Sequence, residues 1–273
     1  MIGVAAEVSL AGRLRRQLRC WIDSEERELS RIASIPRFEA GTTRLFGRPV
    51  EFVDSASFVY MYREIVQREI YAFDCSYHDP VIIDAGANIG LSVLYQKLRF
   101  PQARVIGIEA DPAVFAVLRR NLNRFGLEDV ELHQLALWDE QTKLEFFSQG
   151  ADAGRVGMGD TDDRRQCIFV DSVPLSTFLV GHVDLLKIDI EGAELRVLLE
   201  AKSKLLHVER IFVEYHSFRD QPQDLGELLQ LLRDSGFRIQ IQSVGLLPRP
   251  FLQNRAKGLM DMQLNIFGLR AHS

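Results

Sequence analysis

V-I-I-D-A-G-A-N-I-G-L-S, residues 81–92, is the stretch on which the reading of this chain turns. The apolar run Val81 to Ile83 has the character of a strand buried on both faces of a parallel sheet. It ends in a carboxylate, Asp84, and a turn carrying Gly86 and Gly90 follows at once. A dinucleotide site would show G-x-G-x-x-G here, with a pyrophosphate on the N-terminus of the next helix. The spacing is instead G-x-x-x-G, and Asp84 would repel a pyrophosphate. A carboxylate in that place attracts an ammonium group, while the helix N-terminus across the turn favours a carboxylate. A ligand with both groups is an amino acid.

Outward from this turn the chain alternates between strands and helices. Leu91, Leu94, Tyr95 and Leu98 form a helical stripe stopped by Pro101. The next strand, R-V-I-G-I-E, ends at Glu109, where an acidic side chain accepts hydrogen bonds from two ribose hydroxyls. An amino acid joined to a nucleoside with no phosphate between them describes S-adenosylmethionine. Asp111 and Pro112 then supply an N-cap and a first-turn residue, and Gly126 a C-cap, for a helix carrying Phe115, Leu118, Leu122 and Phe125. A third strand is expected over V-E-L-H-Q-L-A-L, followed by a hairpin through K-L-E-F-F and a polar loop or lid from Ser148 to Arg165. Further strands are expected at V-D-L-L-K-I-D-I, R-I-F-V-E-Y-H, F-R-I-Q-I-Q-S and L-N-I-F-G-L-R, with helices from Ala193 to about Leu199 and around Leu225 to Leu232. A loop from Val244 to Met262 joins the last two strands, so an antiparallel pair closes an otherwise parallel sheet.

Residues 1–77 read as a helical extension and lead-in, and 78–273 as the main α/β domain. Leu10 to Ile32 is helical in spacing, with Arg13, Arg15, Arg16 and Arg19 interleaved; it reads as a peripheral helix, and membrane-surface contact is its second reading. A short hairpin is expected over 44–54 and a helix from Phe58 to Tyr71. The chain of 273 residues is 47% hydrophobic and 26% charged, enough for a sizeable core. Its formal net charge of −5 argues against nucleic acid as the main partner. Cys20, Cys75 and Cys167 are scattered and have no metal spacing, as in a reduced, cytoplasmic protein. No apolar run is long enough to span a membrane, and no secretory signal is evident.

D-A-G-A-N-I-G, G-I-E-A-D-P, L-L-K-I-D-I-E-G-A-E and F-V-E-Y-H together resemble the FkbM-type branch of class I S-adenosylmethionine-dependent methyltransferases, over about residues 78–270. The resemblance implies a Rossmann-like, mostly parallel seven-stranded sheet of order 3-2-1-4-5-7-6 with helices on both faces. It implies that Asp84, Gly86, Ala87, Asn88 and Gly90 form the methionine-side loop. Glu109 would take the ribose, flanked by Ala110 and Asp111, with Ala136 and Leu137 beside the adenine. It also implies methylation of a hydroxyl on a small-molecule or glycan acceptor: a sugar, a glycolipid or a secondary metabolite. Alone, Asp84 or Asp111 would be a helix cap and either glycine a tight turn; the joint spacing carries the signal.

Ligands of open α/β sheets bind at C-terminal strand ends. Asp189 and Glu191 close the fourth core strand, and Glu214 and His216 lie i, i+2 on one face at the end of the fifth. His216 is the first candidate for the base that takes the hydroxyl proton, because its pKa needs least adjustment. Glu214 and Asp189 are alternatives. Lys187, in an apolar strand, is expected to pair with a carboxylate, and Glu191 to complement a helix dipole. The set is also of the type that holds a divalent metal, but spacing alone fixes no ligand set. Two other functions compete: a nicotinamide-dependent oxidoreductase, and a catalytically silent binding module of the same fold.

Overall fold

The computed structural model describes residues 24–148, 154–156, 166–245 and 260–270. A helix over 24–33 (α1) leads into a small hairpin, β1 (Gly41–Thr43) and β2 (Val50–Phe52). Helix α2 (Ser55–Tyr62) follows and continues as one wide π turn over Arg63–Gln67. The expected N-terminal helix from Leu10 lies outside the described residues, apart from the part in α1. There Leu29 and Ile32 are wholly buried.

The β–α alternation then runs β3 (Val81–Ala85), α3 (Leu91–Arg99), β4 (Arg104–Ile108), α4 (Pro112–Phe125) and β5 (Glu131–His133). After β6 (Ala136–Trp138), β7 (Lys143–Ser148), β8 (Arg155–Val156) and β9 (Gln166–Pro174), it resumes with β10 (Leu185–Ile188), α5 (Glu194–Glu200), β11 (Arg210–Phe218) and α6 (Leu225–Asp234). Strands β12 (Phe237–Ser243) and β13 (Met260–Arg270) close the chain. The main sheet is ordered β5-β4-β3-β10-β11-β13-β12. In terms of its seven core strands this is 3-2-1-4-5-7-6, with β13 antiparallel to both neighbours. The Rossmann-like sheet expected from the sequence is present.

The period of two in each strand sorts its residues between two cores. Ile82 packs with α1, α2, α3 and α4, whereas Ile83 packs with α5 and α6. Each such side chain, removed from water, stabilises the fold by about 1.5–3 kcal/mol. The lead-in is part of the first core: Phe52, Phe58 and Tyr62 lie in it beside Leu91 and Leu118.

Three expectations change. The third strand is split: β5 joins the main sheet, but β6 leaves it to pair with β9 in a second sheet, β6-β9-β7-β8. No glycine or proline between His133 and Leu137 announces the break. Strand β9 was not expected, and it supplies the partner that draws β6 away. The loop or lid from Ser148 to Arg165 lies mostly outside the described residues, but 155–156 form β8 against β7. Among the described residues no helix is long and apolar enough to cross a membrane.

Candidate active site

The turn after β3 is built by close approach. Gly86 has φ +83°, and a Cβ there would stand 1.8 Å from the Asp189 carbonyl oxygen, so only glycine lets the loop pass the end of β10. Its N–H and that of Ala87 both donate to the Ile108 carbonyl at 2.9 Å. Gly90, at φ +91°, faces Leu118 Cδ1 at 2.6 Å from such a Cβ and starts α3 tightly against α4. Both motif glycines therefore answer to backbone geometry rather than to phosphate.

Two clefts open at the C-terminal strand ends. One encloses about 660 Å³ and is lined by Gly86, Asn88, Ile108, Glu109, Ala110, Asp111, Leu135, Ala136, Leu137, Phe146, Gly154, Val156, Asp189, Ile190, Glu191 and Ala193. The other, about 670 Å³, lies between the π turn and the sheet. Its walls include Tyr60, Glu64, Tyr71, Ala87, Lys187, Glu214, Gln263 and Asn265. Gly86, Asn88, Asp189 and Glu191 line both, so the clefts meet there.

In the first cleft Glu109 is pinned by backbone donors. Its Oε2 accepts from Asn88 N–H and its Oε1 from Asp111 N–H, both at 2.9 Å. Each oxygen keeps a further lone pair for a ligand hydroxyl. Burial pushes this carboxyl up to about 7 against the pull of the Asp111 and Asn88 amides. Asp111 caps α4 through Ala113 N–H at 2.8 Å and also accepts from the Ser148 hydroxyl. Ala136 and Leu137 give the opposite wall an apolar surface.

Asp84 lies elsewhere than its position in the motif suggests. It is 2% exposed and lines neither cleft. Its Oδ1 lies 3.1 Å from Lys187 Nζ, and its Oδ2 accepts from the Ser92 hydroxyl. Asp84 is thus held by Lys187 and Ser92 behind the second cleft, whose lining includes both partners. Lys187 Nζ also donates to the Gly86 carbonyl at 2.8 Å and lies 3.4 Å from Asp189 Oδ2. Burial works to lower its pKa, but Asp84 and Asp189 prevail and raise it. Lys187 thus ties β3, the glycine turn and β10 together.

His216 is also set back. It is 4% exposed, lines neither cleft, and its Nδ1 lies 2.9 Å from Glu194 Oε1. Glu191 Oε2 stands 3.8 Å from its Nε2. Burial disfavours the charged ring, yet the carboxylates of Glu191 and Glu194 raise its pKa well above the ordinary value. The carboxylates around it thus favour the charged ring, while Glu194 fixes its orientation. Glu214, two residues earlier on the same face, does line the second cleft. Burial and then Asp189 push its carboxyl up to about 7, opposed by His216, Lys187 and Gln263. Gln263 Nε2 donates to its Oε1.

Asp189 and Glu191 lie beyond the end of β10, so strand alternation does not set their directions; Glu191 has φ +56°. They and His216 each bring a ligand atom within 4.8 Å of the others. Sequence reasoning missed Tyr60, Glu64, Tyr71, Gln263 and Asn265 as cleft residues, and Glu194 as the partner of His216. Gln263 and Asn265 did leave a signal, two amides spaced i, i+2 on one face of a strand.

A parallel sheet with a reversed final pair and a cleft lined by carboxylates at its strand tips is the architecture of a Rossmann-like methyltransferase. The sequence profile described as the Methyltransferase FkbM domain matches residues 84–239, and the chain belongs to that family. It is 31% identical to methyltransferase sdnD of Sordaria araneosa, over 66% of this chain and 82% of that one. It is 27% identical to the 31-O-demethyl-FK506 methyltransferase FkbM of Streptomyces tacrolimicus, over 71% and 86%. Similarity to the 2-O-methyltransferase NoeI of Sinorhizobium fredii is 26%, over 50% and 63%. Family membership makes the chain a methyltransferase and sets aside the oxidoreductase reading.

Proposed function

We propose that this methyltransferase transfers the methyl group of S-adenosylmethionine to a hydroxyl of a small-molecule acceptor, in the class of sugars, glycolipids and secondary metabolites. The observation that carries the reading is Glu109, held by two backbone amides at the mouth of the first cleft with lone pairs left for a ribose. Ala110, Asp111, Ala136 and Leu137 complete a nucleoside-sized pocket around it. Gly86 and Asn88, at the junction of the clefts, line the methionine end of the cofactor in this reading. When bound, the cofactor supplies an electrophilic methyl group. O-methylation is the reading favoured by the names of the FkbM and NoeI relatives.

The second cleft takes the acceptor. Carboxylates of Glu64 and Glu214 accept hydrogen bonds from hydroxyls, and Tyr60 and Tyr71 give aromatic wall. Glu214 acts as the base: a carboxyl poised near 7 takes a proton efficiently at neutral pH. Charge is neutralised as a hydroxyl oxygen meets a sulfonium, so a partly dry cleft favours the reaction. Holding both reactants in line supplies on the order of 7 kcal/mol or more. Calorimetry with S-adenosylhomocysteine tests the cofactor, and labelled S-adenosylmethionine with fractionated cell extract tests the acceptor. Saturable binding with label in a hydroxyl-bearing small molecule is expected; absence of binding, or label in nucleic acid or protein, overturns the proposal.

A further inference from the structure

Asp189 and Glu191 line the junction of the clefts with His216 set behind it, and the ligand atoms of the three lie within 4.8 Å of one another. With metal–ligand bonds of about 2.1 Å, two ligands of one ion stand about 3 Å apart when cis and a little over 4 Å apart when trans. The 3.8 Å between His216 Nε2 and Glu191 Oε2 falls in that range. Glu194 holds the imidazole by Nδ1 and so directs Nε2 toward this group. Ligating histidines are usually oriented through their second nitrogen in the same way.

A separate observation points to a cation. Asn265 is 5% exposed and lines the second cleft, yet its Oδ1 receives no hydrogen bond among the described residues. Directly across the strand pair stands Glu214, and Asp189 and Glu191 line the same cleft, so acidic groups surround this oxygen. The Gln263 amide nitrogen on this wall is engaged by Glu214 Oε1 and lies 3.5 Å from His216 Nε2. A buried carbonyl oxygen left without a donor costs about 1–3 kcal/mol. The water of a hydrated ion would satisfy it and supply positive charge to the carboxylates.

We infer that Asp189, Glu191 and His216 hold a divalent cation at the junction of the clefts, with Asn265 accepting from one of its waters. An oxygen-rich set with one imidazole suits Mn²⁺ or Mg²⁺. This rests on the reading of the second cleft as the acceptor site, and it specifies the acceptor as a hydroxyl compound whose oxygen binds the ion. Coordination lowers the pKa of that hydroxyl. The proton passes to Glu214 and the oxygen forms a bond to the methyl carbon. The sulfur–methyl bond breaks as this happens, its electron pair returns to sulfur, and S-adenosylhomocysteine leaves.

The test titrates the full, chelator-treated chain with Mn²⁺, reading free ion by its electron paramagnetic resonance signal. Circular dichroism and S-adenosylhomocysteine calorimetry are run on every variant. One ion per chain is expected, with Glu191→Gln and Asp189→Asn each weakening it at least about 10-fold and Asn265→Leu weakening it by a smaller factor. No saturable binding up to millimolar Mn²⁺, or binding that folded Glu191→Gln and Asp189→Asn leave unchanged, overturns the inference. If S-adenosylhomocysteine binds and Mn²⁺ does not, the metal site alone is rejected. If S-adenosylhomocysteine fails to bind, the methyl-transfer reading is rejected instead.

Discussion

Lys187 and Asp84 are register partners on adjacent parallel strands, and their charged atoms meet at 3.1 Å in the interior of the sheet. Removing one partner of a buried pair leaves the other charge uncompensated, which costs about 3–5 kcal/mol. Lys187→Met is therefore expected to destabilise the fold by that amount, and the double variant Lys187→Met, Asp84→Asn by clearly less. Urea unfolding of the three proteins checks this. Equal losses in single and double variants would show that the pair does not act as a unit.

Glu109→Gln keeps the size of the side chain and loses its charge. Hydrogen bonds to charged groups contribute about 1.5–3 kcal/mol, so affinity for S-adenosylhomocysteine should fall roughly 10- to 100-fold. Calorimetry decides it; unchanged affinity would remove Glu109 from the cofactor site.

Turnover should follow the ionisation of Glu214. Its carboxyl, pushed up to about 7, is active as a base only when deprotonated, so the rate should rise with pH up to about 7 and then level. Glu214→Gln should lower the rate by about 10²–10⁴-fold and abolish that rise, with little change in S-adenosylhomocysteine affinity. His216→Gln should not remove the rise. A profile that follows His216 rather than Glu214 would restore the histidine as base.

Asp54 illustrates acid sensitivity in the lead-in. It caps α2 through Ser57 N–H at 2.9 Å and accepts from Phe38 N–H at 2.5 Å. Burial opposes ionisation, but the bonds from Ser57 and Phe38 prevail and hold the carboxyl down at about 2. A depressed folded pKa adds stability that is complete above the ordinary aspartate value of about 3.9 and lost as pH falls toward 2. Asp54→Ala should cost about 0.5–2 kcal/mol at neutral pH. The difference from the parent should shrink in acid, and a difference independent of pH would contradict the assignment.

The β–α alternation was legible in the sequence from local pattern, and the strand order from the family resemblance. Apolar runs, glycine spacing and the Asp111–Pro112 cap repeat a β–α unit, and handed crossovers leave few ways to lay it down. The position of Glu109 just past β4 was legible for the same reason: a strand end is a place that chain position defines. The roles of Asp84, His216 and Glu214 were not. Each is acidic or basic at a strand tip, and sequence gives no means to tell which faces a cleft and which faces a partner 3 Å behind it. That choice was made by contacts between residues far apart in the chain. Lys187 turns Asp84 inward, Glu194 holds His216, and Asn265 stands opposite Glu214 only because β13 returns antiparallel beside β11. The direction of a side chain and the charge it carries depend on its neighbours in space, and only the folded chain supplies those.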